Sequence, residues 1–186
     1  MKLKSNPERY GTVAVSIHWL SAILILALLG SGFRAVNSMD AAAKAGFLRF
    51  HIPVAIIVLI LTAFRIVWWW RFDQKPLPVE GAPRWQERIA RWVHVAFYVA
   101  ILAMVASGIG MIFLSGAAPA VFGAPGAVLP NFTDYPPRAP HGLGAFLLVG
   151  LLVVHAGAAL YHQFIRRDGL LRRMWYGGRL DRLETS

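Results

Sequence analysis

The 186-residue chain is 57% hydrophobic and only 15% charged, with a mean hydropathy of +0.53 and a formal charge of +10. A soluble domain carries about half apolar and about a quarter charged residues, so this composition excludes an ordinary soluble globule. The absence of cysteine further excludes disulfides, thiolate-held iron–sulfur clusters and covalent C-x-x-C-H haem attachment.

The apolar surplus falls into four blocks, at about 13–33, 53–70, 93–114 and 141–165. Each approaches the roughly 20 residues that carry a helix across ~30 Å of hydrocarbon. A lipid-exposed backbone must satisfy its hydrogen bonds within each segment. The prediction is therefore an all-α membrane protein, a four-helix transmembrane bundle forming one domain over 1–186. The first block is longer than a usual signal h-region and lacks a small-residue cleavage site, so it is read as an anchor. After it, "SMDAAAKAGFLRF" reads as a short helical lead-in to the second block, with Pro53 in the first turn, where its missing N–H costs little. The connection "RFDQKPLPVEGAPRWQERIAR" is polar and proline-broken, then amphipathic. Residues 115–140 carry six of the eleven prolines and are expected to form an irregular cap over the bundle. Their "NFT" matches a glycosylation sequon, a pattern of low specificity. The tail "RRDGLLRRMWYGGRLDRLETS" is expected to open as an interfacial helix with Leu170, Leu171, Met174 and Trp175 toward lipid. No internal repeat or low-complexity tract is evident.

The positive charge is not spread as a nucleic-acid surface would have it. Lys2, Lys4 and Arg9 precede the first block. Arg65, Arg71, Lys75, Arg84, Arg88 and Arg91 lie at or between the second and third, and Arg166, Arg167, Arg172, Arg173, Arg179 and Arg182 follow the fourth. Only Arg34, Lys44, Arg49 and Arg138 fall on the other side. Fifteen cations against four put both termini in the cytoplasm by the positive-inside rule. The basic patches then read as topology signals and contacts to anionic lipid. The Trp68–Trp69–Trp70 run with Trp19, Trp85, Trp92 and Trp175 reads as an aromatic belt at that face.

All six histidines lie within or at the ends of the blocks: His18 in the first, His51 opening the second, His94 early in the third, and His141, His155 and His162 in the fourth. Ionisable groups in spans are costly and mark function. His155 follows His141 by fourteen residues, which at ~100° and ~1.5 Å per residue puts them on nearly one face, ~21 Å apart. His162 continues the stripe. Small residues around it, Gly142, Gly144, Gly150 and Gly157 among them, allow close helix approach or leave room for a flat macrocycle. Two stacked haems, each held by two imidazoles, need such a stripe.

Depth then pairs the rings. His51 and His141 each open a block. His155 lies eleven residues from Arg166 and His18 nine from Arg9, whereas His94 is three from Arg91, ~9 Å shallower by helical rise. The depth-matched pairs are His18 with His155 and His51 with His141, while His94 matches His162. For His94 and His162 the open readings are a haem-propionate contact, a proton-handling quinone site, or plain structural hydrogen bonding. Taken singly, each membrane histidine reads as an interhelical hydrogen bonder. Zinc is disfavoured, because no H-E-x-x-H is present and no carboxylate lies near these histidines within the blocks. Arg9, Arg65, Arg71, Arg91 and Arg166 suit haem propionates or lipid phosphate, and lipid is the expected partner for most. Arg34, Lys44, Arg49 and Arg138 form a small cationic rim that would steer an anion toward the outer haem.

Several stretches resemble the bacterial cytochrome b561 family, membrane proteins of four helices with two b-type haems. "RYGTVAVSIHWLSAILIL" is similar to the family's opening Arg-Tyr and His-Trp. "FHIPVAIIVLILTAFRIVWWW" and "WVHVAFYVAILAMVASGIGM" resemble its second and third spans. The most specific match is "HGLGAFLLVGLLVVHAGAALYHQFIRRDGLLRRM", with Ala-Leu-x-His before Arg-Asp-Gly and Leu-x-Arg-Met. The resemblance implies His18, His51, His141 and His155 as axial ligands of two haem b irons, with no other catalytic residue. It places His162 and His94 near an inner quinone or haem-edge site. It also implies a multi-pass protein of the bacterial inner membrane that passes electrons from superoxide at the outer face to ubiquinone, a superoxide:ubiquinone oxidoreductase. Two departures stand out: "IPVAI" after His51, where Lys or Ser and then Gly are common, and Tyr161 where lysine is common. The other readings are an anchor relaying electrons between a partner dehydrogenase or hydrogenase and quinone, and a haem-free proton or metal-ion path.

Overall fold

A computed structural model describes residues 2–78 and 83–175. Among these, helices α1 (Thr12–Asn37), α2 (Ala41–Val67), α3 (Arg84–Ser115), a short α4 (Ala118–Val121) and α5 (Arg138–Tyr161) account for the regular structure, with no strand. π-helical turns extend α2 over Trp68–Phe72 and α5 over His162–Arg166. Four helices are long and apolar enough to cross a membrane. The protein is an all-α membrane bundle.

Local chemistry sets the helix ends, and the starts of α2 and α3 lie well outside the apolar blocks. Asp40 caps α2: its carboxylate accepts from the amides of Ala42 (3.4 Å) and Ala43 (2.8 Å), satisfying donors the first turn leaves free. The lead-in and the second span are thus one helix. Pro53 lies in its interior rather than in its first turn. An interior proline removes one hydrogen bond and costs ~3 kcal/mol in a water-soluble helix; in a membrane bundle neighbouring helices re-satisfy the freed carbonyl. Helix α3 likewise absorbs its amphipathic lead-in and stops at Gly116, whose φ of 59° is left-handed, a conformation glycine adopts without steric cost.

The four long helices meet at mid-height through Ile25 of α1, Val58 of α2, Ala100 and Ile101 of α3, and Leu148 of α5. Their outward faces keep large apolar side chains uncovered, including Ile23 (62%), Ile60 (61%), Val99 (63%) and Val153 (66%). In water such contiguous surface drives association. Against lipid tails it carries no such penalty.

The two ends of the bundle differ. At the end away from the termini, the segment after α3 folds inward: Val121 of α4 is fully buried, and Arg49 Nε donates to its carbonyl at 3.0 Å. A 3-10 turn, Phe132–Asp134, follows before α5. At the termini end, the Ser5 amide and hydroxyl donate to Asp73 at 2.9 and 2.8 Å. Trp19 Nε1 donates to the Met174 carbonyl at 2.8 Å, and Arg173 to the Leu77 carbonyl at 2.6 Å. The expected interfacial tail helix is a 3-10 turn over Leu171–Met174, with Trp175 exposed beyond it. Arg179 and Arg182 lie outside the described residues.

Candidate functional site

At the end away from the termini, His51 of α2 and His141 of α5 face each other with ring centroids 6.3 Å apart and planes at 59°. A serine hydroxyl on the adjoining helix lies 3.0 Å from each Nδ1: Ser31 of α1 for His51, Ser107 of α3 for His141. Each hydroxyl donates to the carbonyl three residues back, Leu28 at 3.1 Å and Met104 at 2.9 Å. With its own proton committed, the serine oxygen accepts, so Nδ1 carries the imidazole hydrogen and Nε2 keeps a lone pair for a metal. Both rings rest against bare backbone, since a Cβ on Gly32 would stand 3.2 Å from His51 Cε1 and one on Gly108 3.3 Å from His141 Cε1. The rings open onto a cavity of about 680 Å³, floored by Ile25, Val58, Ile101 and Leu148 and rimmed by Lys44 and Arg138. That volume is typical of cofactor sites.

Below the apolar floor, toward the termini, His18 of α1 and His155 of α5 repeat the arrangement, with centroids 6.1 Å apart and planes at 56°. His94 of α3 approaches His155 edge-on at 5.5 Å, and Phe97 does so at 5.6 Å. His94 Nδ1 donates to the Ala90 carbonyl at 2.6 Å. The sequence expectation that His94 lies shallower, level with His162, is therefore corrected: it belongs to the His18–His155 level. Arg91 lies inside α3, two turns after its start at Arg84, and is not a marker of the helix end.

His162 is placed separately, at the end of α5. Its Nδ1 lies 2.5 Å from Asp168 Oδ2, with Arg166 Nε 3.9 Å from the same oxygen. The reversal that brings Asp168 back is a left-handed residue, Arg167, at φ 53°. Burial pulls the Asp168 carboxyl upward, but hydrogen bonds from His162 and the Leu170 amide, with the charges of His162 and Arg166, outweigh it, and its pKa lies below the ordinary 3.8. At the same end, burial raises the Tyr10 hydroxyl above its usual value, against the opposing charges of Arg65 and Arg173.

A positional repeat underlies the two levels. His18, Ser31 and Gly32 recur 76 residues later as His94, Ser107 and Gly108, and His51 recurs 90 residues later as His141. The core follows the same offsets, Ile25 with Ile101 and Val58 with Leu148. The serine–histidine contact between α1 and α2 thus recurs between α3 and α5. Sequence reading found no repeat and missed both serines. The signal, a histidine followed at thirteen residues by Ser-Gly, involves too few identities to show as similarity.

The spacing of each couple is what a metal macrocycle gripped through both faces would require. A metal–imidazole bond of about 2.0 Å, plus about 1.15 Å from nitrogen to ring centre, separates two axial imidazole centroids by about 6.3 Å. The observed 6.3 and 6.1 Å match this spacing, whereas the 5.5 Å of His94 is too short. Among the described residues no three or more His, Cys, Asp or Glu converge on a bare ion. Comparison with known proteins agrees. A family model described as prokaryotic cytochrome b561 matches residues 9–177. The chain is similar to cytochrome b561 homolog 2 of Escherichia coli (strain K12), 29% identical over 185 residues that cover 94% of this chain and 95% of the relative. It is also similar to cytochrome b561 homolog 1 of that strain (25% identical, covering 90% and 97%), and to the probable superoxide oxidase CybB of Yersinia pestis (29% identical, covering 90% and 96%). The chain belongs to the prokaryotic cytochrome b561 family, membrane cytochromes that bind haem b.

Proposed function

We propose that this chain is a dihaem b-type cytochrome of the bacterial inner membrane, its termini cytoplasmic, that oxidises superoxide at the outer face and reduces ubiquinone. The observation that carries this reading is the pair of imidazole couples at haem spacing, one at each depth. Haem b, when bound, supplies one-electron redox chemistry. His51 and His141 would hold the outer group and His18 and His155 the inner one. Ser31 and Ser107 fix the tautomer and rotation of the outer ligands through their Nδ1 contacts, and metal-bound histidines depend on such partners. Val58, Ile101 and Leu148 exclude water between the levels.

Superoxide carries one negative charge, and Lys44 and Arg138 at the rim of the outer cavity attract it. Arg49 is committed to the Val121 carbonyl and serves the cap instead. In the balanced reaction two superoxide anions become two dioxygen molecules, while one ubiquinone takes two electrons and two protons. His162 presents a proton-bearing group held by Asp168 at the cytoplasmic end, and His94 stands at the inner pair. These two supply the quinone side. The resemblance to a probable superoxide oxidase favours superoxide as donor over a partner dehydrogenase.

Stopped-flow mixing of the purified protein with superoxide and ubiquinone tests the assignment. Reduction should be rapid, suppressed by superoxide dismutase, and lost in His141→Ala. A rate insensitive to dismutase contradicts it and points to a protein donor.

A further inference from the structure

Arg65 lies on α2 fourteen residues after His51, as His155 lies on α5 fourteen after His141. Fourteen residues return a helix to nearly the same face, ~21 Å along. His51 and His141 face each other at one level, so equal spacing brings Arg65 to the level of His155. The inner level therefore gathers His18 and His94 from one pair of equivalent positions, and Arg65 and His155 from the other. Electrostatically, the guanidinium acts on all three imidazoles and on the Tyr10 hydroxyl.

This cation has no carboxylate partner among the described residues. Asp73 is engaged by Ser5 and Trp68, and Asp168 by His162 and Arg166. A guanidinium is a fixed charge, and Arg65, half-buried in the last turn of α2, suits a bidentate anion held at this end of the bundle. The outer level has its own cations on the ligand helices, Lys44 of α2 and Arg138 of α5, at the cavity rim.

Resting on the dihaem reading, we propose that Arg65 binds a propionate carboxylate of the haem held by His18 and His155, and through its charge favours the reduced form of that haem. Arg–carboxylate pairs are bidentate and orient as well as bind. Net charge beside a haem is one of the levers that set its potential. Arg65 is on this account a positioning residue for the inner haem seat.

The test compares purified holoprotein of wild type, Arg65→Gln, Arg65→Lys and Arg71→Gln, reading haem per chain and the midpoint of each haem by spectroelectrochemistry. Arg65→Gln should shift the reduced-to-oxidised ratio of one haem about tenfold toward oxidised, about 59 mV for a one-electron couple, with the other haem unmoved. Arg65→Lys should keep most of the wild-type potential, and Arg71→Gln all of it. One haem in Arg65→Gln with two in Arg65→Lys supports the same assignment. Two haems with unmoved midpoints in Arg65→Gln overturn it, as does an equal shift in Arg71→Gln, which would mean general charge or lipid contact. Loss of one haem from both Arg65 variants overturns it in favour of a purely structural role. A haem-free wild type refutes the cytochrome reading and this inference with it.

Discussion

Ser31 and Ser107 each relay a hydrogen bond from a histidine Nδ1 to a backbone carbonyl, and each is followed by a glycine against which the ring rests. Removing the hydroxyl leaves Nδ1–H only the backbone carbonyl behind it, Leu28 for His51 and Met104 for His141, while the ring keeps its seat. Partners of this kind are worth about 10–100-fold in metal affinity. Ser107→Ala should accordingly lose haem from one site about 10–100 times faster to an apomyoglobin acceptor, with the other site unaffected; equal loss rates would contradict the relay. Gly108→Val acts by volume instead. Its Cβ alone meets His141 Cε1 at 3.3 Å, and the branching methyls force the ring from its position. One haem per chain is expected, and two haems with an unchanged spectrum would show that the seat is not tight. None of this was legible in advance, because serine and glycine in a membrane helix are common packing residues and only the facing rings give them a role.

Helix ends account for most of what differs from the sequence reading. The apolar blocks mark hydrocarbon contact, not helix length, so the Asp40 cap and the start of α3 at Arg84 fall outside them. Counting depth from Arg91 therefore misplaced His94. Counting along one helix was safer: the fourteen residues from His141 to His155 put the rings at two levels of the same helix, each facing a histidine of another. Asp168 could not be assigned by spacing, since a left-handed Arg167 turns the chain back on His162. That contact carries a pH prediction. The folded-state pKa of Asp168 lies below 3.8, so its stabilisation is fully present above the unfolded value and is lost as pH falls through the folded one. Asp168→Asn should lower the melting temperature in detergent by about 2–4 °C near neutral pH, taking about 1 kcal/mol for one charged hydrogen bond. The difference from wild type should close below the folded pKa; a difference independent of pH would assign the effect to packing.

As a whole the molecule is two helix pairs with matching ring positions, and aliphatic side chains lie between the two levels of rings. The fold class was legible because four apolar blocks leave few alternatives in a membrane. The repeat was not, because it resides in the positions of a handful of residues. The cationic rim of the cavity away from the termini is a feature that salt should expose: on the proposed activity, superoxide-driven reduction is expected to slow as ionic strength rises, and Lys44→Gln with Arg138→Gln to flatten that dependence. A flat profile in the wild type would remove the rim from the account. The central claim, that two imidazole couples hold two haems, is tested most directly by pyridine haemochrome of protein expressed with haem supply. The wild type should carry two haem b per chain, and His155→Ala one, with b-type bands remaining after dithionite. No haem in the wild type, or two in His155→Ala, would contradict it.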